Sequence, residues 1–283
     1  MTKIILPTDS NLYRTFQKIV TQQRVVFFAG LPGTGKSLFL QQMALMAQEA
    51  GRVVHLLQYD VARMAFETAV NLAKYPEIDG FTHAAIRKAV GLWTRVGVLQ
   101  WHKQYADPSH FLLGEVPLVG NRLIELTQKL DDEAELLLAG DTTRFVLPVP
   151  SLDVRRVIES AREKSIAQPR HHKEEKDAQP NVLRALWQEV AQVGVQLGLA
   201  TVGDGAYDPG VYTAVYHHLL QHRHTETLNI NTVLKPTGSA YNLRISGTEL
   251  SATSAEVNTI IAAIEQQYTP EELDRAVANW FDM

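Results

Sequence analysis

Eight consecutive residues, Gly30-Leu31-Pro32-Gly33-Thr34-Gly35-Lys36-Ser37, match the pattern G-x-x-x-x-G-K-[ST] in full. Glycines at these spacings let the backbone curl, so that successive N–H groups and the start of a following helix point at phosphate oxygens. Lys36 then reaches the β- and γ-phosphates, and the Ser37 hydroxyl can ligate Mg²⁺. The expected cofactor-binding set is therefore Gly30 to Ser37, with Leu38 completing the first turn behind them. At ordinary glycine frequency a chain of this length would match by chance only about once in a hundred. The chemistry implied is binding of a nucleoside triphosphate, ATP with Mg²⁺, through its phosphates.

Such a loop works only between a strand and a helix, and the flanking sequence supplies both. Arg24 to Ala29 is a short apolar run rich in β-formers, and from Ser37 to Ala50 apolar residues recur at helical spacing, closed by Gly51. Arg52 to Gln58 reads as a second strand, which completes a βαβ unit and favours a parallel sheet. A helix is predicted over Asn11–Gln22. Two helices are predicted between 61 and 106, broken at Tyr75–Gly80. Strands are predicted at Phe111–Val116 and Arg144–Val149, and a helix over Asn121–Lys129. Residues 164–181 are polar and flanked by prolines, helix returns at Val182–Leu197, and another helix follows Asp208. Thr227–Leu234 and Asn242–Ile245 read as strands, before a helix capped by Ser254 and a short helical tail after Pro270. The expected fold is a three-layer α/β/α sandwich around a mainly parallel sheet, with ligand at the carboxyl ends of the strands. It is expected as one domain over 1–283, with a helical acceptor-side insert at 61–106, a lid at 151–181 and an extension at 224–283.

With the loop in this setting, Gln58-Tyr59-Asp60-Val61-Ala62-Arg63 after the second strand resembles the small-molecule and nucleotide kinases of the P-loop superfamily, such as the adenylylsulfate kinases. In that group an Asp-x-x-Arg follows the second strand, the aspartate near the attacking hydroxyl and magnesium and the arginine on the acceptor. The resemblance implies those roles for Asp60 and Arg63. The end of the next strand offers Glu115 where many P-loop ATPases place a magnesium-holding carboxylate, so Glu115 is the candidate to hold the ion through water, with Ser37 binding it directly. Arg122 is a candidate for binding acceptor, or else begins a helix. Nucleotide kinases also carry a lid of arginines that closes over the transferring group, and the resemblance gives that part to Arg155, Arg156, Arg162 and Arg170. On the residues alone, Asp60 reads equally as a helix cap, Glu115 as a carboxylate satisfying loop amides, and Arg155 as an ordinary helical partner of Glu159.

Composition narrows the rest. The chain has 283 residues, 45% hydrophobic and 20% charged, with net charge −4 and no cysteine. Lack of cysteine removes disulfides, thiolate catalysis and zinc–thiolate sites. A pI near 6.2 gives no general drive toward nucleic acid. No apolar stretch approaches the roughly 20 residues that span a bilayer, and the N-terminus lacks a secretory pattern, so a cytoplasmic setting is expected. His217, His218, His222 and His224 read as an exposed helix end, Trp93 and Trp101 as packing of a helical layer, and His83 with Arg87 as polar groups available to an acceptor pocket.

The function expected from these residues is transfer of the γ-phosphate of ATP to a small hydroxyl- or phosphate-bearing acceptor. Lys36 would polarise the phosphate, Asp60 would orient or deprotonate the acceptor, and Arg155 and Arg162 would neutralise charge in flight. The alternative is a nucleotide-dependent regulatory ATPase that acts on a protein partner.

Overall fold

The run Val25–Ala29 forms β1, and every one of its residues is buried. Val25, Phe27 and Ala29 enter one core while Val26 and Phe28 enter another on the opposite face. A strand covered on both faces needs apolar side chains at each position, which explains why this stretch lacks polar alternation. The computed structural model describes residues 3–78, 81–169, 171, 174, 179–203, 205–235, 238–243 and 245–283.

β1 is the middle strand of a five-stranded sheet with order β2-β3-β1-β4-β5. The other strands are β2 (Val53–Gln58), β3 (His110–Val116), β4 (Thr143–Pro150) and β5 (Thr225–Ile230), with β3 and β4 flanking β1. All four pairings are parallel, so every carboxyl end opens on the same edge of the sheet. One face carries α1 (Asn11–Gln22) and α2 (Lys36–Glu49), whose Phe16, Phe39, Leu40 and Met43 pack on Val26 and Phe28. The other face carries α3 (Tyr59–Phe66), α5 (Ala84–Gln104), α8 (Pro180–Gln196), α9 (Pro209–Leu219), α10 (Ser254–Gln267) and α11 (Pro270–Ala278). The short α4 (Ala69–Lys74) and α6 (Ala134–Leu138) and the longer α7 (Leu152–Ala167) complete a three-layer α/β/α arrangement.

Several local expectations change. Between β2 and β3 there are three helices rather than two, because the first is divided at Glu67 and Thr68, where the Thr68 side chain caps α4 by accepting from Asn71 N. The anticipated helix over Asn121–Lys129 is only a 3-10 turn at Ile124–Leu126. Its approach is bent by positive φ angles at Leu118 (67°), Gly120 (66°), Asn121 (58°) and Leu123 (65°), which no helix accommodates. Glu125, fully buried, receives Asn121 Nδ2 at 3.2 Å and Lys88 Nζ at 2.9 Å and so anchors this bent loop. The strand expected at Thr227–Leu234 is β5, shifted to Thr225–Ile230.

No strand forms over the described residues of 242–245. Instead the chain runs along the outer edge of β2 a little later, with Gly247 N donating to Val54 O at 2.9 Å, Leu56 N to Thr248 O at 2.9 Å and Leu250 N to Leu56 O at 2.8 Å. Those bonds occupy backbone groups that an uncovered edge strand would leave open. The cap of α10 is Thr253, in a reciprocal capping box with Glu256, and Ser254 is the first helical residue. Trp93 and Trp101 are 2% and 3% exposed and pack α5 into the core. No helix among the described residues is long and apolar enough to cross a membrane.

Candidate functional site

The loop Gly30–Ser37 joins the end of β1 to the start of α2, as its spacing requires. Gly30, Gly33 and Gly35 adopt φ of 142°, 81° and 88°, which side-chain-bearing residues rarely accept. Gly30 is also the point of closest packing, since a Cβ there would stand 2.3 Å from the Tyr212 hydroxyl. Gly35 caps α2 without a side chain, which leaves the first amides of the helix turned toward the loop. Thr34 Oγ1 closes the turn by donating to Leu31 O at 2.8 Å.

The polar centre of this edge is a compact trio. Lys36 is 3% exposed, donates to Leu31 O at 2.9 Å and lies 3.4 Å from Glu115 Oε1. Ser37 Oγ donates to Glu115 Oε2 at 3.1 Å. Strand order produces this contact: β3 is the immediate neighbour of β1, with Glu115 opposite Phe28 in the parallel register. Burial holds the Lys36 ammonium below its usual range; Glu115 opposes that shift, and Arg162 and Arg155 reinforce it. A hydroxyl and a carboxylate side by side are hard oxygen donors that suit Mg²⁺, and Glu115 retains access to solvent with 23% of its side chain exposed.

The arginines of α7 divide. Arg155 is 2% exposed, donates from Nε to Glu159 Oε1 at 2.7 Å, and lies 4.4 Å from the centre of the Tyr207 ring. Arg162 is half-buried and near enough to Lys36 to weigh on its charge. Arg156 points outward beside Asp153 at 3.6 Å, so only two of the arginines from this helix face the loop. Arg170 and His172 lie outside the described residues.

On the acceptor side, Asp60 occupies the first turn of α3 with 84% of its side chain exposed, 3.9 Å from Arg63. It stands at the carboxyl edge, but β3 lies between β2 and β1, and the carboxylate beside Lys36 is Glu115. Arg63 is engaged by Glu67 at 2.8 Å, Glu77 at 3.7 Å and Thr82 Oγ1 at 2.9 Å. Arg122 donates to Val119 O at 3.0 Å in the bent loop, and Arg87 of α5 donates to Gly120 O at 2.5 Å. His83 caps α5 by accepting from Ala85 N. His217 meets Thr227 Oγ1 at 2.8 Å and His218 meets Phe281 O at 3.2 Å.

Sequence reasoning missed a ladder of tyrosines. Tyr207 and Tyr212 have ring centres 5.7 Å apart, Tyr212 and Tyr216 are 4.7 Å apart, and Tyr216 Oη donates to Pro117 O at 2.9 Å. This ladder connects Arg155, the back of Gly30 and the loop after β3. Burial pushes all three hydroxyls above the usual phenol range, so they stay protonated. The signal was present as Tyr212 and Tyr216 one helical turn apart, directly after the Asp208 cap.

No family model matches the chain, and neither a curated protein nor a solved structure is significantly similar to it.

Proposed function

We propose that the chain is an ATP-dependent phosphotransferase that passes a γ-phosphate to a small acceptor. The observation that carries this reading is the trio at the carboxyl edge: Lys36 3.4 Å and Ser37 3.1 Å from the two oxygens of Glu115, at the mouth of the glycine loop. Lys36 would exchange its bond to Leu31 O for phosphate oxygens, gaining from a doubly charged partner what burial now costs its ammonium. Ser37 and Glu115 would hold magnesium, which would supply positive charge to polarise the phosphate.

Arg155 and Arg162 bring fixed positive charge to the same end of the loop, which favours the negative charge spread over a phosphoryl group in transfer. Arg155 contributes as a rigid, stacked group rather than as a lid tip, because it is already buried against Tyr207. Asp60 and Arg63 serve the acceptor side in this reading, Asp60 as the group that orients or accepts a proton from the acceptor hydroxyl.

Packing of Leu183 of α8 and Tyr212 of α9 on the loop, with Leu183 3.7 Å from a Gly33 Cβ position, favours one competing reading. Nucleotide occupancy would press on both helices, as in a regulatory ATPase acting on a protein partner.

The deciding measurement is incubation of the protein with Mg²⁺ and γ-labelled ATP against pooled nucleosides, nucleotides, sugars and phosphorylated metabolites, beside Lys36→Ala. A labelled acceptor that disappears with Lys36→Ala is the expected result. Release of phosphate alone supports the regulatory ATPase, and absence of nucleotide binding removes both.

A further inference from the structure

The carboxyl ends of β2 and β3 carry a second polar centre, made of a buried phenol and two guanidinium groups. Tyr59 is 8% exposed and its hydroxyl has no hydrogen-bond partner among the described residues. Leaving a buried hydroxyl unpaired costs about 1 to 3 kcal/mol, so such a group marks either a cost borne by the fold or a position reserved for a ligand. Arg122 Nη1 and Arg87 Nη1 lie 3.1 and 3.4 Å from the point a Cβ on Gly120 would occupy, so two like charges converge on one glycine. Both are positioned by loop carbonyls, Val119 O and Gly120 O, and neither forms an ion pair with a carboxylate among the described residues.

Glu189 and Asp274 lie near enough to Arg87 to favour its charge, yet burial and the Arg122 charge still hold its pKa below the usual value. Burial raises the Tyr59 phenol, and Arg122, Arg63 and Arg87 pull in the opposite direction; Arg63 lies 6.0 Å from the Tyr59 ring, and Arg122 lies in the loop after β3, the strand beside the β2 end that Tyr59 continues. Arg63 differs from the other two because Glu67 already neutralises it at 2.8 Å. The bent loop that presents Arg122 holds three non-glycine residues at positive φ, and buried Glu125 fixes it through Asn121. Arg87 and Gly120 also line an open cleft of about 390 Å³ with Glu189, Asp274 and Trp280, which gives a small molecule a route to Arg87.

We propose that Tyr59, Arg87 and Arg122 form an oxyanion subsite that grips a phosphate-type group already carried by the acceptor. Two forked donors and a phenol O–H match the several acceptor oxygens of a phosphate monoester better than the two of a carboxylate. Arg87 and Arg122 would thus share the acceptor-binding role that the resemblance gave Arg63. That the bound molecule is an acceptor rests on the phosphotransferase reading; that the subsite binds an oxyanion does not.

The test is calorimetric titration of phenyl phosphate, with benzoate as the carboxylate comparison, into the full chain and into Lys36→Ala, Arg122→Gln, Arg122→Lys and Tyr59→Phe, each checked for an unchanged melting temperature. Phenyl phosphate is expected to bind Lys36→Ala within about twofold of the parent and Arg122→Gln at least about tenfold more weakly, with Arg122→Lys intermediate. Tyr59→Phe is expected to weaken binding about threefold to tenfold, and benzoate to bind less tightly than phenyl phosphate. No binding of phenyl phosphate, or binding that follows Lys36→Ala and ignores Arg122→Gln, overturns the subsite. A fluorescent ATP analogue read in parallel separates the two ideas. Phenyl phosphate held by the arginines without nucleotide at the loop keeps the subsite and removes the phosphotransferase; nucleotide bound with no effect of Arg122→Gln on phenyl phosphate does the reverse.

Discussion

Two pairs of arginines in this protein have opposite surroundings. Arg95 and Arg223, 2% and 7% exposed, are saturated by acceptors: Arg95 meets Asp132 twice at 2.6 Å and Glu135 at 3.0 Å, and Arg223 meets Glu135 at 2.7 and 2.9 Å. Carbonyls of Glu125, Leu126 and Gln128 take up further donors. Among the described residues, Arg87 and Arg122 donate hydrogen bonds only to loop carbonyls, with Glu189 and Asp274 acting on Arg87 from further off, and a buried phenol near the same strand ends lacks a partner. Charges fully compensated inside the protein clamp α5 and α6 to the chain before β5, whereas charges left open at the carboxyl edge have capacity for a ligand. The same side chain is structural in one place and a binding candidate in the other because its partners differ.

The comparison breaks most visibly if the saturated pair proves dispensable. Glu135→Ala should leave the buried Arg223 without its carboxylate and take one of two carboxylates from Arg95, at a cost of about 3 kcal/mol or more in denaturant unfolding, while Arg122→Gln should change stability by only about 0.5 kcal/mol. Comparable losses for the two would end the distinction.

Acid should find the interior before it finds the open edge. His55, 1% exposed, lies between His110 Nδ1 at 2.9 Å and Thr248 Oγ1 at 3.0 Å, and burial, helped by His110, lowers its pKa from 6.5 to about 4. The folded chain therefore binds a proton at His55 less readily than the unfolded chain. Its contribution is complete above about pH 6.5 and declines as the pH falls toward 4, by about 2 kcal/mol, which His55→Gln should largely remove from the pH profile. Arg223 and Arg95 hold the Glu135 carboxyl at about 2 against an ordinary 4.5, outweighing its desolvation, so its contribution is lost in a second window between those values.

Gly30→Ala is expected to cost about 2 kcal/mol, from positive φ and from the clash with the Tyr212 hydroxyl. Tyr212→Phe in the same chain should recover part of that loss and leave the backbone component, because the ring carbon behind the hydroxyl is an ordinary 3.6 Å from the new Cβ. Equal losses with and without the hydroxyl would show that Tyr212 does not back the loop. The smallest effect is expected at Arg156→Ala, whose exposed side chain, among the described residues, meets only Asp153 at 3.6 Å: unfolding free energy should move by no more than about 0.5 kcal/mol.

How much was legible in the sequence depended on the range of the interaction. Strand, glycine loop and helix over 25–49 follow from local pattern, and their bounds agree with expectation to within a residue. The turn at 118–123 was misread as the approach to a helix because nothing in Asn121–Lys129 announces that Asn121 will be tethered to a buried Glu125, itself paired with Lys88 of α5. Arg155 was legible as a charged helical residue beside Glu159, but its burial against Tyr207 depends on the segment just before α9, more than fifty residues later. Arg87 was visible only as a polar group on a helix, and Tyr59 gave no signal beyond its place at a strand end.

By itself, the sequence determined the parallel α/β layering and the loop Gly30–Ser37, since apolar runs, helical periodicity and glycine spacing act within a few residues of the chain. Tertiary structure alone decided that β3 would lie beside β1 and bring Glu115 to Lys36 and Ser37, and that Arg87 and Arg122 would converge on Gly120. Those contacts join residues up to 79 positions apart, where strand order and burial, rather than local preference, select the neighbour.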